Sequence, residues 1–316
     1  MRVLVTGIGG FVGPVVAQAL LAGGHEVWGL VRRPPGPRLA GLCVELATAD
    51  VTDADAVGGV VAAARPDAVI HLAGLSFGPA AEADPAAAYR TNLGGTLAVL
   101  AALRARAPRA RLVFASSSEV YGQALPEELP VGEDVPLRPV SVYGATKAAA
   151  EIAAGQWGRT YRLDVVRVRP FNHTGPGQDA AFVCPALARQ VAAIEAGRQP
   201  PVMRVGNVDP VRDFADVRDI AAGYVAVLER GRTGEVYNLC SGEGASIAEV
   251  VAILRTHARV PLRAHAERGL ERAVDVPRLV GSPARVARDT GWRTRIPLAD
   301  TLRAVLEDWR TRTAGG

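Results

Sequence analysis

Tyr143 and Lys147 stand four residues apart in the run Tyr143-Gly144-Ala145-Thr146-Lys147, so on a helix they share one face. A phenol with an ordinary pKa near ~10 is a poor acid–base group at neutral pH unless a nearby cation stabilises its phenolate. An ammonium can do that and also hydrogen-bond a ribose hydroxyl. Lys147 is the only lysine among the 36 basic residues, all the others being arginine, so the chain's one compact ammonium stands here. Ser116-Ser117-Ser118 follows an apolar run that reads as a strand. A tyrosine beside a lysine on one helical face suits acid–base catalysis. The competing reading is an incidental surface tyrosine and lysine.

A second pattern favours the chemical reading. Val3-Leu4-Val5-Thr6 leads into Gly7, Gly10 and Gly13, with Phe11 and Val12 between the last two. Glycines at this spacing, between a strand and a helix, let the backbone approach a pyrophosphate that then sits on the helix N-terminus. About 20 residues on, where an NAD site usually places a carboxylate, stand Arg32 and Arg33. Arginines suit the 2′-phosphate of NADP(H) through bidentate hydrogen bonds; the alternative is a solvated loop in an arginine-rich chain. Asp50 and Val51 follow a third strand, where a carboxylate can accept an adenine amino group. Leu72, Ala73 and Gly74 follow a fourth, their small size leaving room for the cofactor.

The elements that must position these residues are legible from alternation and periodicity. Strands are expected at Arg2–Thr6, Glu26–Val31, Ala68–Leu72, Arg111–Ala115 and Leu163–Val168. Helical stretches separate them, the first with Pro14 in its opening turn and others over Pro85–Ala107 and Val142–Thr160. The fold class is α/β with a doubly wound parallel sheet. After Arg169 proline, glycine and asparagine become frequent; Gly234–Gly244 is expected to return a strand to the sheet, and Ser246–His257 and Leu298–Trp309 read as helices. This divides the chain into residues 1–169, binding the dinucleotide, and 170–316, mainly a substrate-binding cap, with about 215–240 rejoining the first part.

Composition narrows the class. The 316 residues are 49% hydrophobic and 22% charged, with a net charge of +4 and no basic or aromatic–basic stripe, which argues against disorder and a dedicated nucleic-acid binder. Cys43, Cys184 and Cys240 are scattered, and neither they nor His25, His71, His173, His257 and His265 show metal-ligand spacing, so no metal is expected. His173 can equally line a sugar pocket or be structural. No apolar run is long enough to span a bilayer, and the opening MRVLVTG has no leader character, so a soluble cytoplasmic protein is expected.

Taken together these residues resemble the extended short-chain dehydrogenase/reductase family, the nucleotide-sugar epimerases, dehydratases and reductases, over almost the whole chain. The resemblance implies a Rossmann domain binding NADP(H) and a carboxy-terminal cap binding a nucleotide diphosphate sugar. It assigns Ser117, Tyr143 and Lys147 as catalytic, and implies a homodimer packed through the helices near 85–107 and 142–160. Arg169-Pro170-Phe171-Asn172-His173-Thr174-Gly175-Pro176-Gly177-Gln178 and the stretch Phe182–Glu195 look like those of enzymes acting on GDP-mannose derivatives, GDP-4-dehydro-6-deoxy-mannose reductases in particular. Asn172, Arg189, Arg212, Arg272 and Asp275 are then the expected substrate contacts. Ala273 and Asp275 depart from the proline and glutamate usual there.

The activity implied is NADPH-dependent reduction of the 4-keto group of GDP-4-dehydro-6-deoxy-D-mannose to GDP-D-rhamnose. The nearest rival is GDP-mannose 4,6-dehydratase or another epimerase/dehydratase, because Glu119 lies where dehydratases of the family carry a proton-abstracting carboxylate. Phe11 and Val12 stand where those enzymes typically have Gln-Asp, and Ser117 replaces their usual threonine. A non-catalytic NADP-binding sensor or scaffold is the reading from another class, and it has no use for Ser117, Tyr143 and Lys147.

Overall fold

Strand β1 (Arg2–Thr6) alternates its side chains between two apolar layers. Val3 and Val5 share a cluster with Val16, Ala17 and Leu20 of α1 (Gly13–Ala22) and Ile220 and Val227 of α8 (Val217–Arg230). Leu4 faces the other layer, with Val57 and Val61 of α2 (Ala54–Ala64), Val99 and Leu103 of α5 (Gly95–Arg106) and Ala150 and Ala154 of α6 (Val142–Tyr161). A strand covered on both faces needs an apolar run, which is what Val3-Leu4-Val5 supplies. The computed structural model describes residues 1–34, 36–267, 269 and 276–315.

Seven parallel strands follow this plan in the order β3 (Val44–Thr48), β2 (Glu26–Val31), β1, β4 (Ala68–His71), β5 (Arg111–Ala115), β6 (Val165–Pro170) and β10 (Val236–Leu239). The first six have the doubly wound order of a dinucleotide fold. β10 pairs parallel with β6, Val236 opposite Arg167, so the expected strand in 234–244 does return to the sheet. The expected β4 ends one residue sooner, at His71, and β6 runs from Val165 to Pro170, with Asp164 still accepting from the Leu112 amide at 2.7 Å. Pro14 lies in the first turn of α1, where a missing N–H costs nothing.

The helix expected over 85–107 is not uniform. It runs as α4 (Pro85–Tyr89), a π turn over Arg90–Gly94, then α5, preceded by the short α3 (Gly78–Ala83). The wide turn accompanies the inward Asn92, 2% exposed. Its side chain accepts from the Leu75 amide at 2.7 Å and donates to the Leu75 carbonyl at 3.1 Å and to Thr146 Oγ1 at 2.8 Å. A single-turn π bulge is a common way of turning one functional side chain inward.

The remaining elements build the cap. β9 (Val211–Asp216) pairs parallel with β7 (Asn172–Thr174) and β13 (Arg278–Leu279) and antiparallel with β11 (Gly244–Ser246), while β8 (Val202–Val205) pairs with β12 (Arg263–Ala266). α7 (Val183–Glu195), α9 (Ile247–His257) and α11 (Leu298–Ala314) share an apolar core of Leu187, Val191, Val250, Leu254, Leu302 and Leu306. α10 (Ala284–Thr290) packs on α8 and β10. Among the described helices none is long and apolar enough to cross a membrane, and no described cluster of His, Cys, Asp and Glu is placed to hold a metal.

His71 ties the end of β1 to the start of α5. Thr96 Oγ1 donates to the Asn92 carbonyl at 2.6 Å, so it accepts from His71 Nε2 at 3.2 Å, and His71 Nδ1 accepts from Thr6 Oγ1 at 2.6 Å. Thr6 Oγ1 in turn accepts from the Ala73 amide at 3.2 Å. Burial, reinforced by the Lys147 charge, pulls His71 from 6.5 down to about 3. Below pH 6.5 the unfolded chain takes up a proton that the folded chain refuses. Stability from this group is therefore complete above 6.5 and is lost as pH falls toward 3, by up to about 1.4 kcal/mol per pH unit. Urea titrations at pH 7 and pH 4.5 check this: His71→Gln, which can keep one donor and one acceptor, is expected to lose less stability between the two than the native chain.

Candidate active site

The glycine loop sets the floor of a cleft of about 630 Å³ at the carboxyl ends of the strands. Gly7 has φ +71°, and a Cβ there would lie 2.7 Å from the Ala73 nitrogen. A Cβ on Gly13 would meet the Ile8 carbonyl oxygen at 2.3 Å. Glycine at these two positions lets the loop after β1 close on the β4 loop at Gly7 and on the first turn of α1 at Gly13. Gly7, Gly10, Phe11, Val12, Gly13, Arg32, Arg33, Asp50, Val51, Leu72, Ala73 and Gly74 all line this cleft. Arg32 and Arg33 are exposed, and neither forms an ion pair with a described residue. Asp50 Oδ1 accepts from the amide and hydroxyl of Thr52 at 2.9 and 2.8 Å, which, with the Arg32 charge, holds the carboxyl below its usual range.

Ser117, Tyr143 and Lys147 line the same cleft. Ser141 caps α6, accepting from the Gly144 amide at 3.0 Å, and donates its proton to Glu119 Oε2 at 2.8 Å. Glu82 of α3 accepts from the Val142 amide at 2.8 Å, and Asn92 holds the helix through Thr146, whose hydroxyl donates to the Tyr143 carbonyl at 2.7 Å. The first turn carrying Tyr143 is thus tied to three neighbouring segments. Ser117 Oγ accepts from the Glu119 amide at 3.1 Å, leaving its own proton for an oxygen in the cleft.

Electrostatics give the two titrating groups different roles. Burial first, then the Glu119 carboxylate, hold the Tyr143 phenol above a tyrosine's ordinary range, with the Ser117 hydroxyl acting in the opposite sense. At neutral pH Tyr143 is a proton donor. Burial pulls Lys147 from 10.5 down to about 8, Glu151 opposing. Its ammonium lies 4.9 Å from the centre of the Phe114 ring and donates to no described residue. Ser116 Oγ is likewise buried, unpartnered and in the cleft wall. A cleft with glycines in its floor, exposed arginines in its lining and an ammonium and a hydroxyl left unsatisfied in its wall fits a nicotinamide dinucleotide.

On the cap side, Asn172 reaches the cleft, and so do His173, Gln178 and Phe182. The His173 ring stacks on Phe11 at 6.1 Å and 5°, and its Nδ1 donates to the Phe171 carbonyl at 2.8 Å. Burial pulls its pKa down, so the ring is neutral and Nε2 is an acceptor. Arg189 does not reach the cleft. It lies on the outer face of α7, opposite the buried Cys184, Leu187, Ala188 and Val191, with its guanidinium 6.0 Å from the Trp309 ring centre. Arg212 sits half-buried on β9, donating to the Val211 carbonyl at 3.0 Å, and is not among the cleft residues. Arg272 and Asp275 fall outside the described residues. Sequence reasoning missed Asn92 and Tyr224; a lone asparagine amid alanines and leucines was a usable signal for the first, whereas Tyr224 in an apolar helix gave none.

This fold and site are those of a Rossmann-type NAD(P)-dependent enzyme of the short-chain dehydrogenase/reductase kind. A family model described as GDP-mannose 4,6 dehydratase matches residues 4–305, and the chain belongs to that family, within the extended short-chain NAD(P)-dependent epimerases and dehydratases. It is 40% identical over 311 residues to GDP-6-deoxy-D-mannose reductase of Pseudomonas aeruginosa, covering 98% of each chain. UDP-glucose 4-epimerase of Corynebacterium glutamicum is 31% identical, over 100% of this chain and 97% of that one. Among solved structures, RMD from Pseudomonas aeruginosa complexed with NADPH superposes with a TM-score of 0.86 at 38% identity, over 99% of this chain and 100% of that chain. Thermus thermophilus UDP-glucose 4-epimerase complexed with NAD gives 0.87 at 30%, over 98% and 99%.

Proposed function

We propose that the chain reduces the 4-keto group of GDP-4-dehydro-6-deoxy-D-mannose with NADPH, giving GDP-D-rhamnose. The observation that carries this reading is the similarity over 98% of each chain to a GDP-6-deoxy-D-mannose reductase, supported by a cleft in which a protonated tyrosine meets the Ser117 hydroxyl. When bound, reduced nicotinamide supplies the hydride. Ser117 donates to the carbonyl oxygen, Tyr143 gives that oxygen a proton, and Lys147 holds the positive charge behind the tyrosine and bonds the ribose. Arg32 and Arg33 favour NADPH over NADH by taking the 2′-phosphate.

Residues 1–169, with about 215–240, serve as the cofactor domain and the remainder as the cap. Asn172 and Arg212 bind the diphosphate. A homodimer forms through α4–α5 and α6, whose surface exposes Tyr89 at 41%, Ile152 at 61% and Tyr161 at 37%; sedimentation velocity reads this directly. Cytoplasmic location follows the same reading.

The dehydratase reading is favoured by the description of the matching family model and by Glu119 in the cleft wall. Against it, the Glu119 carboxylate already accepts from the cap of the catalytic helix, which suits a positioning group better than a free base. The two separate on substrate. Given the 4-keto-6-deoxy intermediate, the chain is expected to consume NADPH stoichiometrically, and NADH more slowly. Given GDP-mannose and NADP⁺ it is expected to make no keto product, with products resolved by chromatography and NMR. Keto product from GDP-mannose without net cofactor change would replace the reductase assignment and make Glu119 the base.

A further inference from the structure

Three tyrosines are buried in this molecule, and two of them spend their hydroxyls inside the protein. Tyr121 donates to Asn238 Oδ1 at 2.7 Å and accepts from Arg169 at 2.8 Å. Tyr237 donates to Asp289 Oδ2 at 3.1 Å and accepts from the Arg232 amide at 3.0 Å. Tyr224, 2% exposed on α8, forms no hydrogen bond with any described residue. Its ring belongs to the apolar cluster of Val5, Val16, Val168, Ile220 and Leu239, which offers a phenol nothing to bond. A phenylalanine would fill that space as well, and burying an unpaired hydroxyl costs free energy.

Tyr224 lines the cleft, where its hydroxyl can meet a partner. Burial, and the phenol of Tyr143, hold it above a tyrosine's ordinary range, so it enters the cleft as a donor. Tyr143 arrives from α6 on one face of the sheet and Tyr224 from α8 on the other, so the two phenols flank the inner end of the cleft from opposite sides. Whatever accepts a proton from Tyr143 must lie at that end, and the hydride donor must lie against it. The group there that needs a second, separate donor is the ring's amide substituent.

We propose that the Tyr224 hydroxyl donates a hydrogen bond to the carboxamide oxygen of the bound nicotinamide and so fixes the face that the ring turns toward Tyr143. This rests on the dinucleotide reading of the cleft. The Tyr224→Phe chain is compared with the unsubstituted chain by calorimetric titration with NADPH and with 2′-phospho-ADP-ribose, which lacks the nicotinamide. One neutral hydrogen bond predicts NADPH bound about three- to tenfold more weakly, with 2′-phospho-ADP-ribose bound equally by both chains. The melting temperature of the free Tyr224→Phe chain is expected to hold or rise, because the lost hydroxyl had no partner in the fold. Equal NADPH affinity in the two chains overturns the proposal. So does an equal loss for both ligands, which would place the effect in packing. Failure of the unsubstituted chain to bind either ligand would instead remove the dinucleotide reading itself.

Discussion

Replacing Tyr143 with phenylalanine is expected to lower kcat on the 4-keto substrate by roughly 10²–10⁴-fold while leaving NADPH affinity unchanged. The substitution removes one oxygen and keeps the ring, and the helix around it stays anchored through Ser141, Asn92 and Glu82, none of which uses that oxygen. What is lost is the proton donor at the nascent alkoxide. The native pH profile supports the same assignment from another side. Tyr143 is held above its ordinary range, so it remains protonated well past neutrality, whereas Lys147 is brought down to about 8. The alkaline limb of kcat/KM, which reports the free enzyme, should therefore fall near pH 8 with the lysine and not near 10 with the tyrosine. Steady-state kinetics of both chains from pH 6 to pH 10, with cofactor affinity by fluorescence titration, checks this. Turnover within a few-fold of native in the Tyr143→Phe chain would remove the tyrosine from the chemistry.

What the sequence showed and what it concealed divide along physical lines. The parallel sheet was legible because strands covered on both faces must be unbroken apolar runs, as in Val3-Leu4-Val5, Ala68-Val69-Ile70 and Leu112-Val113-Phe114. The glycine loop was legible because its backbone needs residues without Cβ at fixed spacing. The π turn at Arg90–Gly94 was hidden, since its cause is a set of tertiary hydrogen bonds from Asn92 to a loop and a helix far along the chain. Arg189 was misplaced for a related reason: similarity of a segment says nothing about which side of a helix faces the cleft, and here burial of Cys184, Leu187, Ala188 and Val191 turns it outward. In an arginine-rich chain the residue type itself carried little information. Tyr224 needed the tertiary fold, because only the absence of a partner distinguishes it from a phenylalanine.

Arg169→Met is expected to destabilise the fold by about 3–5 kcal/mol, the largest effect on stability of any single exchange considered. The guanidinium, 5% exposed, reaches Glu151 from Nε at 3.1 Å to both carboxylate oxygens and from Nη2 at 2.6 Å. Nη1 donates to the Tyr121 hydroxyl at 2.8 Å and to the Glu133 carbonyl at 2.9 Å. Glu151 is 2% exposed, and Arg169 is its ion-pair partner among the described residues. Methionine fills the volume but leaves a buried carboxylate without a counter-charge. Arg169→Met with Glu151→Leu should recover much of the stability, because removing both charges leaves neither to be desolvated alone. Urea denaturation at pH 7 separates the cases: a single exchange costing under about 1 kcal/mol, or a double exchange as costly as the single, would contradict the ion-pair account. The same pair acts on the site. Glu151 lies one helical turn beyond Lys147 and already raises its pKa against the effect of burial. With Arg169 gone, the unshared Glu151 carboxylate should move the alkaline limb of kcat/KM above pH 8, and removing both should bring it below the native position.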